Sequence, residues 1–372
     1  MTRRPTSRSS GRSTATTAVR DVAPRPPVRD FTAGAASFTI EWDVRPVYDF
    51  LFSLSDDAGA TEDLPAEDRR WLKESRAALD AAGYPLSGVL QHDVAVHVAA
   101  FAVSRPWLQT VDAFIDGLQS EGPAPLLDVL FGEMVDAEPG RRAVFDRAVH
   151  GDASAIAELE PHFESKYRER LGLLRDPAET HRQVVAILRA WNERFAEIEE
   201  RVSGIQVRDY DARAGDRVTQ SPADLVETTT GGIRLLPEPG VRRVILAPSY
   251  FSRPYNFLLA GEDWRFFGYP VADAALDSSD PLAPPLAVLR LHRALGDGTR
   301  LRILKLLAGG DLYLTEIAQQ LELSKPTIKH HLTQLRAAGL LTVIESGAVT
   351  YYSLRRERLD DAAADIRSFL VG

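Results

Sequence analysis

The spacing of apolar residues predicts helices over most of the first two hundred residues. Ser37–Trp42 alternates like a short strand, and Val44–Leu54 then carries apolar residues at helical spacing. Pro65 and the acidic residues after it begin a further helix, which Gly83 ends. More helices are predicted near 86–103, 107–120, 124–137, 140–149, 152–171 and 177–202. The last of these has a sustained apolar stripe, which predicts either the spine of a domain or a dimer contact.

A different pattern, of short β-rich runs between Pro and Gly, occupies residues 205–271. The runs GIRLLP, RRVILAPSY, NFLLAG and DWRFFGYP predict a small antiparallel sheet. Residues 272–285, which read ADAALDSSDPLAPP, predict a linker. A chain of 372 residues accommodates two or three domains. We therefore expect an α+β protein with a mainly helical domain over 31–204, the β-rich region, and a separate domain over 286–372.

The C-terminal segment begins with two helices and a short third one. Leu286–Leu295 and Thr299–Ala308 have helical apolar spacing, and Thr299 is in position to cap the second helix. Thr315 is in position to cap the short helix EIAQQL. After a connection of about three residues a longer helix follows, and this arrangement is a helix-turn-helix, whose second helix is shaped to enter the major groove of DNA.

This second helix is predicted to run from its cap, Ser324, to Ala338, just before Gly339. At about 100° per residue, three apolar side chains share a narrow arc that must face the core: Ile328, Leu332 and Leu335. His331 lies beside that arc and is predicted to pack inside the domain. The side chains available to bases and phosphates are those of Ser324, Lys325, Thr327, Lys329, His330 and Thr333.

Two strands, LLTVIES and AVTYYSL, predict a hairpin that would form the wing of a winged helix. Alternation places at least one of Tyr351 and Tyr352 in the core. The wing tip, Glu345–Ala348, has no Arg or Lys for the minor groove, and we predict DNA contacts from Arg355 and Arg356 after the second strand. The Arg-rich N-terminus is a second candidate for such contacts, although the sequence does not place it near the winged helix.

Three stretches of this segment resemble the winged helix of ArsR/SmtB-type transcriptional regulators: LGDGTRLRILKLL, LTEIAQQLELSKPTIKHHLTQLRAAGLL and TYYSL. The resemblance covers about 70 of the 372 residues. It implies a dimeric DNA-binding repressor whose recognition helix starts at Ser324. The whole chain resembles those regulators of this family in which a long domain precedes the winged helix.

The residue types argue against a metal or another cofactor. Metal sensors of that family place Cys before the recognition helix, or Asp and His in the last helix, whereas here those positions read DLYLTEIAQQL and DDAAADIRSFL. The chain has no Cys, which excludes disulfides and thiolate metal sites. His92 and His97, with Asp93 between them, are five residues apart and about 140° apart on a helix, which favours structural roles.

Charge is distributed unevenly around a net value of −9. Residues 1–30 hold seven Arg against two Asp, residues 31–285 hold 25 basic against 42 acidic side chains, and residues 286–372 hold 12 against 9. A polyanion partner is therefore expected to meet the ends of the chain and to be repelled by its middle. The Ser- and Arg-rich first 30 residues predict a disordered tail, although their composition also suits a transit peptide. Without a long apolar run or a signal sequence, a cytoplasmic location is expected.

Two functions from different classes remain open at the level of the sequence. The chain contains no phosphate loop, no HExxH and no nucleophile elbow, which favours a regulator over an enzyme. The expected partners are double-stranded DNA, a second copy of the chain and a small-molecule effector of the first domain. The alternative is an enzyme with a DNA-targeting appendage. An aromatic run, Trp264, Phe266, Phe267 and Tyr269, fits either the apolar face of a sheet or a ligand pocket.

Overall fold

In the computed structural model the described residues are 38–91, 94–136, 140–163, 168–236, 238–276, 282, 284–346 and 349–371. The predicted basic tail, residues 1–30, lies outside them, and so do His92 and Asp93. Within the described parts, no helix has the combination of length and apolar character needed to cross a membrane.

Helices form most of the N-terminal body, the name used here for residues 38–276. The first eight to be described are α1 Pro46–Phe52, α2 Ala66–Ala81, α3 Val94–Val103, α4 Val111–Glu121, α5 Pro123–Asp136, α6 Arg141–Val149, α7 Ala153–Leu159 and α8 Pro177–Phe195. The stretch predicted as one helix over 152–171 contains α7 and two short 3-10 helices, Glu160–His162 and Glu169–Leu174. The helical character predicted for this half of the chain is confirmed.

The longest predicted helix is in fact two helices. The elements that follow α8 are α9 Glu199–Ala212, α10 Ala214–Thr219 and α11 Pro222–Thr229. Ile198, in the break after Phe195, packs against the same core as the stripe of α8, so the apolar pattern continues across the break. Residues 205–229 are therefore mainly helical, and the β-rich region begins only after them.

A four-stranded mixed sheet lies at the centre of the body. The strands of this part of the chain are β1 Thr39–Trp42, β2 Ile233–Leu235, β3 Arg243–Ser249, β4 Phe257–Ala260 and β5 Trp264–Pro270. All except β2 form one sheet in the order β1-β3-β5-β4. β3 is parallel to both β1 and β5, and only β4 pairs antiparallel, with β5. All four predicted runs form strands, but the predicted antiparallel orientation is wrong.

Burial on both faces accounts for the parallel pairing. In β3, Val244 and Leu246 pack into a core with Tyr269 on one face, while Ile245 and Ala247 join the large helical core on the other. Sheets covered on both faces are commonly parallel, and their strands read as continuous apolar runs. The sheet also takes β1 from the predicted helical domain, so the segments expected as separate regions share one sheet and one core.

A buried carboxylate connects α1 to the end of β3. Asp49 has no exposed surface, and it accepts hydrogen bonds from the Ser249 hydroxyl at 2.5 Å and from the Tyr250 and Phe251 backbone N–H groups at 2.9 Å each. The Gln206 amide donates a fourth at 2.9 Å. Burial raises the pKa of Asp49 to about 6, against these hydrogen bonds, which favour the ionised form. This one side chain therefore fixes segments that are remote in sequence.

The C-terminal domain is a winged helix-turn-helix, as predicted. Its elements are α12 Leu286–Leu295, α13 Gly298–Leu307, β6 Leu312–Tyr313, α14 Leu314–Leu321, α15 Lys325–Ala337, β7 Leu341–Ser346, β8 Val349–Leu354 and α16 Arg356–Val371. Glu322, in the connection between α14 and α15, has a φ of 56°, which turns the chain sharply from one helix to the next.

Two predicted caps in this domain are wrong. Asp297, rather than Thr299, caps α13 through its carboxylate. α14 starts one residue before Thr315, where the Glu316 carboxylate accepts a hydrogen bond from the Tyr313 N–H at 3.1 Å. At α13 the Asp297 carboxylate takes the place expected for a hydroxyl and also interacts with the positive end of the helix dipole. At α14 the Glu316 carboxylate lies inside the first turn and accepts from the N–H of the cap residue, Tyr313.

Strand β2 belongs to the body in sequence but pairs with the wing rather than with the sheet of the body. The second sheet has the order β2-β7-β8-β6, and β2 pairs in parallel with β7, with Ile233 opposite Val343. Across the same junction, Arg290 of α12 forms ion pairs with Asp63 and Asp273 of the body. The sequence did not predict this pairing, and the segment predicted as a linker does not keep the two domains apart.

Candidate nucleic-acid interface

The two faces of α15 agree with the helical prediction. Ile328, Leu332 and Leu335 are buried in the core of the winged helix, and His331 is turned partly inward, with its Nδ1 3.8 Å from the Asp297 carboxylate. The side chains exposed at the start and along the outer side of the helix are Ser324, Lys325, Thr327, Lys329 and His330. Thr333 is half-buried, and its hydroxyl donates to the Lys329 carbonyl at 2.9 Å. The structure thus brings the predicted DNA-facing residues of α15 onto one surface.

The N-terminus of α15 is closed as predicted by Ser324. Its hydroxyl oxygen accepts from the Thr327 N–H at 3.3 Å and lies 2.7 Å from the Thr327 hydroxyl. Pro326 occupies the first turn, where its fixed φ suits the helix and its missing N–H is not needed. The exposed Lys325 adds a full positive charge to the positive end of the helix dipole, which is the arrangement that favours a phosphate.

A network of side-chain hydrogen bonds orients His330, and the sequence did not predict it. The Nε2 of His330 lies 2.8 Å from the side-chain nitrogen of Gln334, one turn further along α15. The Gln334 carbonyl oxygen in turn accepts a hydrogen bond from Arg300 of α13, whose Nε also donates to the Ala294 carbonyl at 2.8 Å. The spacing of four residues between His330 and Gln334 was the available signal, whereas the position of Arg300 depends on how the helices pack.

The two arginines predicted to bind DNA after the wing have different surroundings. Arg355 is largely buried and donates to the Gly231 carbonyl of the body at 3.2 Å. Arg356 is exposed and donates to the Ala308 carbonyl at 2.6 Å. Arg355 also forms an ion pair with Glu357 at 3.4 Å, so its side chain is held by both the body and α16.

The wing is the predicted hairpin. β7 and β8 pair antiparallel from Leu341 opposite Leu354 to Ser346 opposite Val349, while residues 347–348 at its tip lie outside the described residues. Tyr352 packs against the core of the domain, which agrees with the predicted alternation. The ring of Tyr351 lies 4.1 Å from that of Tyr313, and their hydroxyls are hydrogen-bonded.

The other candidate sites have plainer surroundings. Phe266, Phe267 and Tyr269 are buried in the two cores on either side of the sheet, so this aromatic run forms the sheet's apolar faces. His97 is half-buried in α3. Across the described ranges, no group of three or more His, Asp or Glu residues is arranged to hold a metal ion.

Comparison with known proteins gives this fold a family. The family model described as "Bacterial regulatory protein, arsR family" matches residues 297–343, from the cap of α13 into β7. The transcriptional repressor SdpR of Bacillus subtilis (strain 168) is 38% identical over 80 residues, which are 22% of this chain and 89% of SdpR. The chain belongs to the ArsR family of bacterial regulatory proteins.

Other known proteins match a similar share of this chain. The arsenic resistance transcriptional regulator ArsR1 of Pseudomonas putida is 42% identical over 77 residues, which are 20% of this chain and 57% of ArsR1. The solved structure of HlyU from Vibrio cholerae N16961 covers 23% of this chain and 95% of its own, with 26% identity and a TM-score of 0.19. Each match thus spans about a fifth of this ArsR-family chain.

Proposed function

We propose that this ArsR-family protein is a sequence-specific repressor that binds double-stranded DNA as a homodimer, with α15 in the major groove. The observation that carries this proposal is the outer face of α15, where two lysines, a histidine and two hydroxyl side chains are exposed beside a capped helix N-terminus. Lysines and the N-terminal amides bind phosphates and set the register, whereas His330, held by Gln334, is placed to read a base edge.

Separate replacement of Lys329 and His330 is expected to distinguish phosphate binding from base reading. Lys329→Ala should weaken binding to all duplexes and lower the slope of log affinity against log salt by roughly one, because one phosphate contact is lost. His330→Ala should reduce discrimination at one base pair by about 1–3 kcal/mol. The measurement is affinity across salt concentrations for a duplex selected from a random pool and for its single-base variants.

Lys305→Ala provides the matched control for these variants, since Lys305 is also exposed but lies on α13. It should leave both the salt slope and the site preference unchanged. If Lys329→Ala and His330→Ala behave like Lys305→Ala, α15 is not the DNA-reading helix.

The homodimer is supported by apolar surface on the first and last helices of the winged helix, α12 and α16. α16 has no buried residue, and Leu370 and Val371 at its end are 71% and 80% exposed. α16 packs beside α12, where the apolar Leu286 and Leu289 are only half-buried. A second copy that covers these helices would remove the apolar surface from water.

Leu370→Glu is therefore expected to convert the dimer to a monomer at micromolar concentration, because it places a charge in the proposed interface. Light scattering measures the mass directly. Val218→Glu is the control, since Val218 of α10 is 85% exposed but lies on the body. A monomeric wild-type chain, or equal effects of both substitutions, would contradict the proposed interface.

The body is proposed to respond to a small-molecule effector by binding rather than by catalysis. Its direct connection to the wing through β2 supports this role, because a change in the body then reaches the DNA-binding domain through paired strands. The alternative, an enzyme carried to DNA by the winged helix, is tested by identifying the small molecule that co-purifies with the full chain. Conversion of that molecule to a product would favour the enzyme, and its recovery unchanged would favour the sensor.

A further inference from the structure

A cavity of about 370 Å³ lies between the body and the winged helix. On one side are the C-terminal turn of α11 and the chain after β5, and on the other are Arg336–Gly339, at the end of α15 and just beyond it. Sites for small molecules generally have volumes of about 300–1,000 Å³. This cavity is therefore large enough for a metabolite and touches the same helix that is proposed to read DNA.

The lining of this cavity is rich in arginine. Its ionisable side chains are one carboxylate, that of Asp273, and five guanidinium groups, those of Arg213, Arg290, Arg336, Arg355 and Arg358. Asp273 already forms ion pairs with Arg290 and with the buried Arg253, so its charge is neutralised within the protein. Four of the arginines are ion-paired as well: Arg213 with Asp209, Arg290 with Asp63 and Asp273, Arg355 with Glu357, and Arg358 with Asp361 and Asp365. The lining therefore favours an anion through the guanidinium N–H groups that these pairs leave open rather than through unbalanced charge.

Contacts behind the cavity wall hold several of these guanidinium groups in place. Asp209 accepts from Nε of Arg213 at 2.8 Å, Asp365 accepts from Nη1 of Arg358 at 2.8 Å, and the Gly231 carbonyl accepts from Arg355. Arg213 also donates to the second Asp209 oxygen, Arg358 also lies near Asp361, and Arg355 also pairs with Glu357. A guanidinium has five N–H donors, so two such contacts still leave donors for a ligand. The arginines are therefore pre-positioned by the fold, which lowers the entropic cost of binding an anion.

Two buried polar atoms in the wall indicate what else the ligand must carry. Thr229 is 3% exposed and Asn256 is 9% exposed, and both line the cavity. The Asn256 side-chain nitrogen donates to the Thr230 carbonyl at 2.9 Å, but among the described residues neither the Asn256 carbonyl oxygen nor the Thr229 hydroxyl has a hydrogen-bond partner. A buried polar atom without a partner costs about 1–3 kcal/mol. Water does not reach these two atoms, so a ligand that donates hydrogen bonds gains them by turning the Asn256 and Thr229 side chains toward the cavity.

We infer that this cavity binds a small organic anion that also carries hydroxyl groups. The arginines bind its phosphate or carboxylate, and the Asn256 oxygen and the Thr229 hydroxyl bind its hydroxyls. Such a ligand would contact Arg213 of the body and Arg336, Arg355 or Arg358 of the winged helix together, and so would fix the position of α15 relative to the body. Only this regulatory consequence rests on the proposed function, whereas occupancy of the cavity does not.

The test is calorimetric titration of the full chain, in a buffer free of phosphate and carboxylate, with glucose 6-phosphate, citrate and neutral glucose. We expect one of the two anions to bind and glucose not to bind, and the anion that binds identifies the phosphate or the carboxylate as the source. Thr229→Val should weaken binding about tenfold without loss of thermal stability, because the hydroxyl that it removes has no partner in the fold. Arg358→Gln should weaken it similarly.

The control is Arg243→Gln, which should bind the anion as the wild type does. Arg243 does not line the cavity and forms its ion pairs with Glu41 and Asp263. Absence of binding by both anions, or equal binding by wild type, Thr229→Val and Arg358→Gln, would overturn the inference. DNA affinity of the unliganded chain is measured separately. Loss of the proposed DNA binding in that assay would overturn the proposed function and would leave the cavity result standing.

Discussion

Asp49→Ala is expected to lower the free energy of unfolding by more than about 4 kcal/mol, because it leaves the Tyr250 and Phe251 N–H groups and the Ser249 hydroxyl buried without their acceptor. Gln206 is less affected, since its amide nitrogen also donates to the Pro248 carbonyl at 3.0 Å. Chemical denaturation of the full chain measures the effect.

Asp80→Ala is the matched control for this substitution, since Asp80 is an exposed Asp on α2. It should change the unfolding free energy by less than about 0.5 kcal/mol. Equal stability of the Asp49→Ala and Asp80→Ala proteins would mean that the buried carboxylate does not organise the end of β3.

The same comparison has a defined pH dependence. Because burial raises the pKa of Asp49 to about 6, the folded chain binds a proton here more tightly than the unfolded chain does. The contribution of this group to stability is therefore complete below the unfolded pKa of about 3.9 and is lost as the pH rises through 6. The stability difference between wild type and Asp49→Ala should accordingly narrow between pH 4 and pH 7, and a widening difference would show that the pKa is lowered instead.

Gly232→Ala is expected to separate β2 from β7. Gly232 has a φ of +119°, and a Cβ at this position would lie 2.6 Å from the Leu341 carbonyl oxygen, a backbone atom that cannot move aside alone. The Gly232 carbonyl also accepts the Val343 N–H at 2.7 Å, so a shift of this backbone breaks the first bond of the pairing. The free energy of unfolding is expected to fall by about 3 kcal/mol or more, because backbone strain is added and the pairing of β2 with β7 is lost. Hydrogen exchange of a peptide that covers β7 should accelerate.

The neighbouring glycine offers a close control. Gly231 also has a positive φ, +70°, but a Cβ there meets nothing within 4 Å. Gly231→Ala should therefore show only the strain of a left-handed residue, about 1–2 kcal/mol, and should leave exchange in β7 nearly unchanged. If the two alanines accelerate exchange in β7 equally, steric conflict with the wing is not the cause.

How well the sequence predicted each part depended on how local its interactions are. The recognition helix was placed correctly because its cap at Ser324, its apolar arc at Ile328 and its stop at Gly339 all lie within sixteen residues. The exposed residues of α15 follow from the same arc. The orientation of the His330 side chain could not be predicted from this arc, because it depends on Gln334, which Arg300 contacts from another helix.

The missed strand pairings involve partners that are distant in sequence, whereas the wrong caps at Thr299 and Thr315 were errors between neighbouring residues. β1 and β3 pair with Thr39 opposite Arg243, and no local pattern specifies that register. The contact of Arg355 with the Gly231 carbonyl was likewise not predicted, because Gly231 belongs to the body, and the DNA contact of Arg355 stays a prediction. The continuous apolar run in β3 did signal burial on both faces, and it was the one indication of parallel pairing that the sequence offered.

The parallel pairing of β2 with β7 also determines what the wing would be without the body. β7 has β8 on one side and β2 on the other, so in the full chain the outward edge of β7 is paired with β2 over residues 343–345. An isolated winged helix would present this stretch as an open strand edge, which is a template for joining the edge of another molecule. The body thus protects the wing from self-association, and deletions that remove β2 would expose this edge even if every residue from α12 onward were kept.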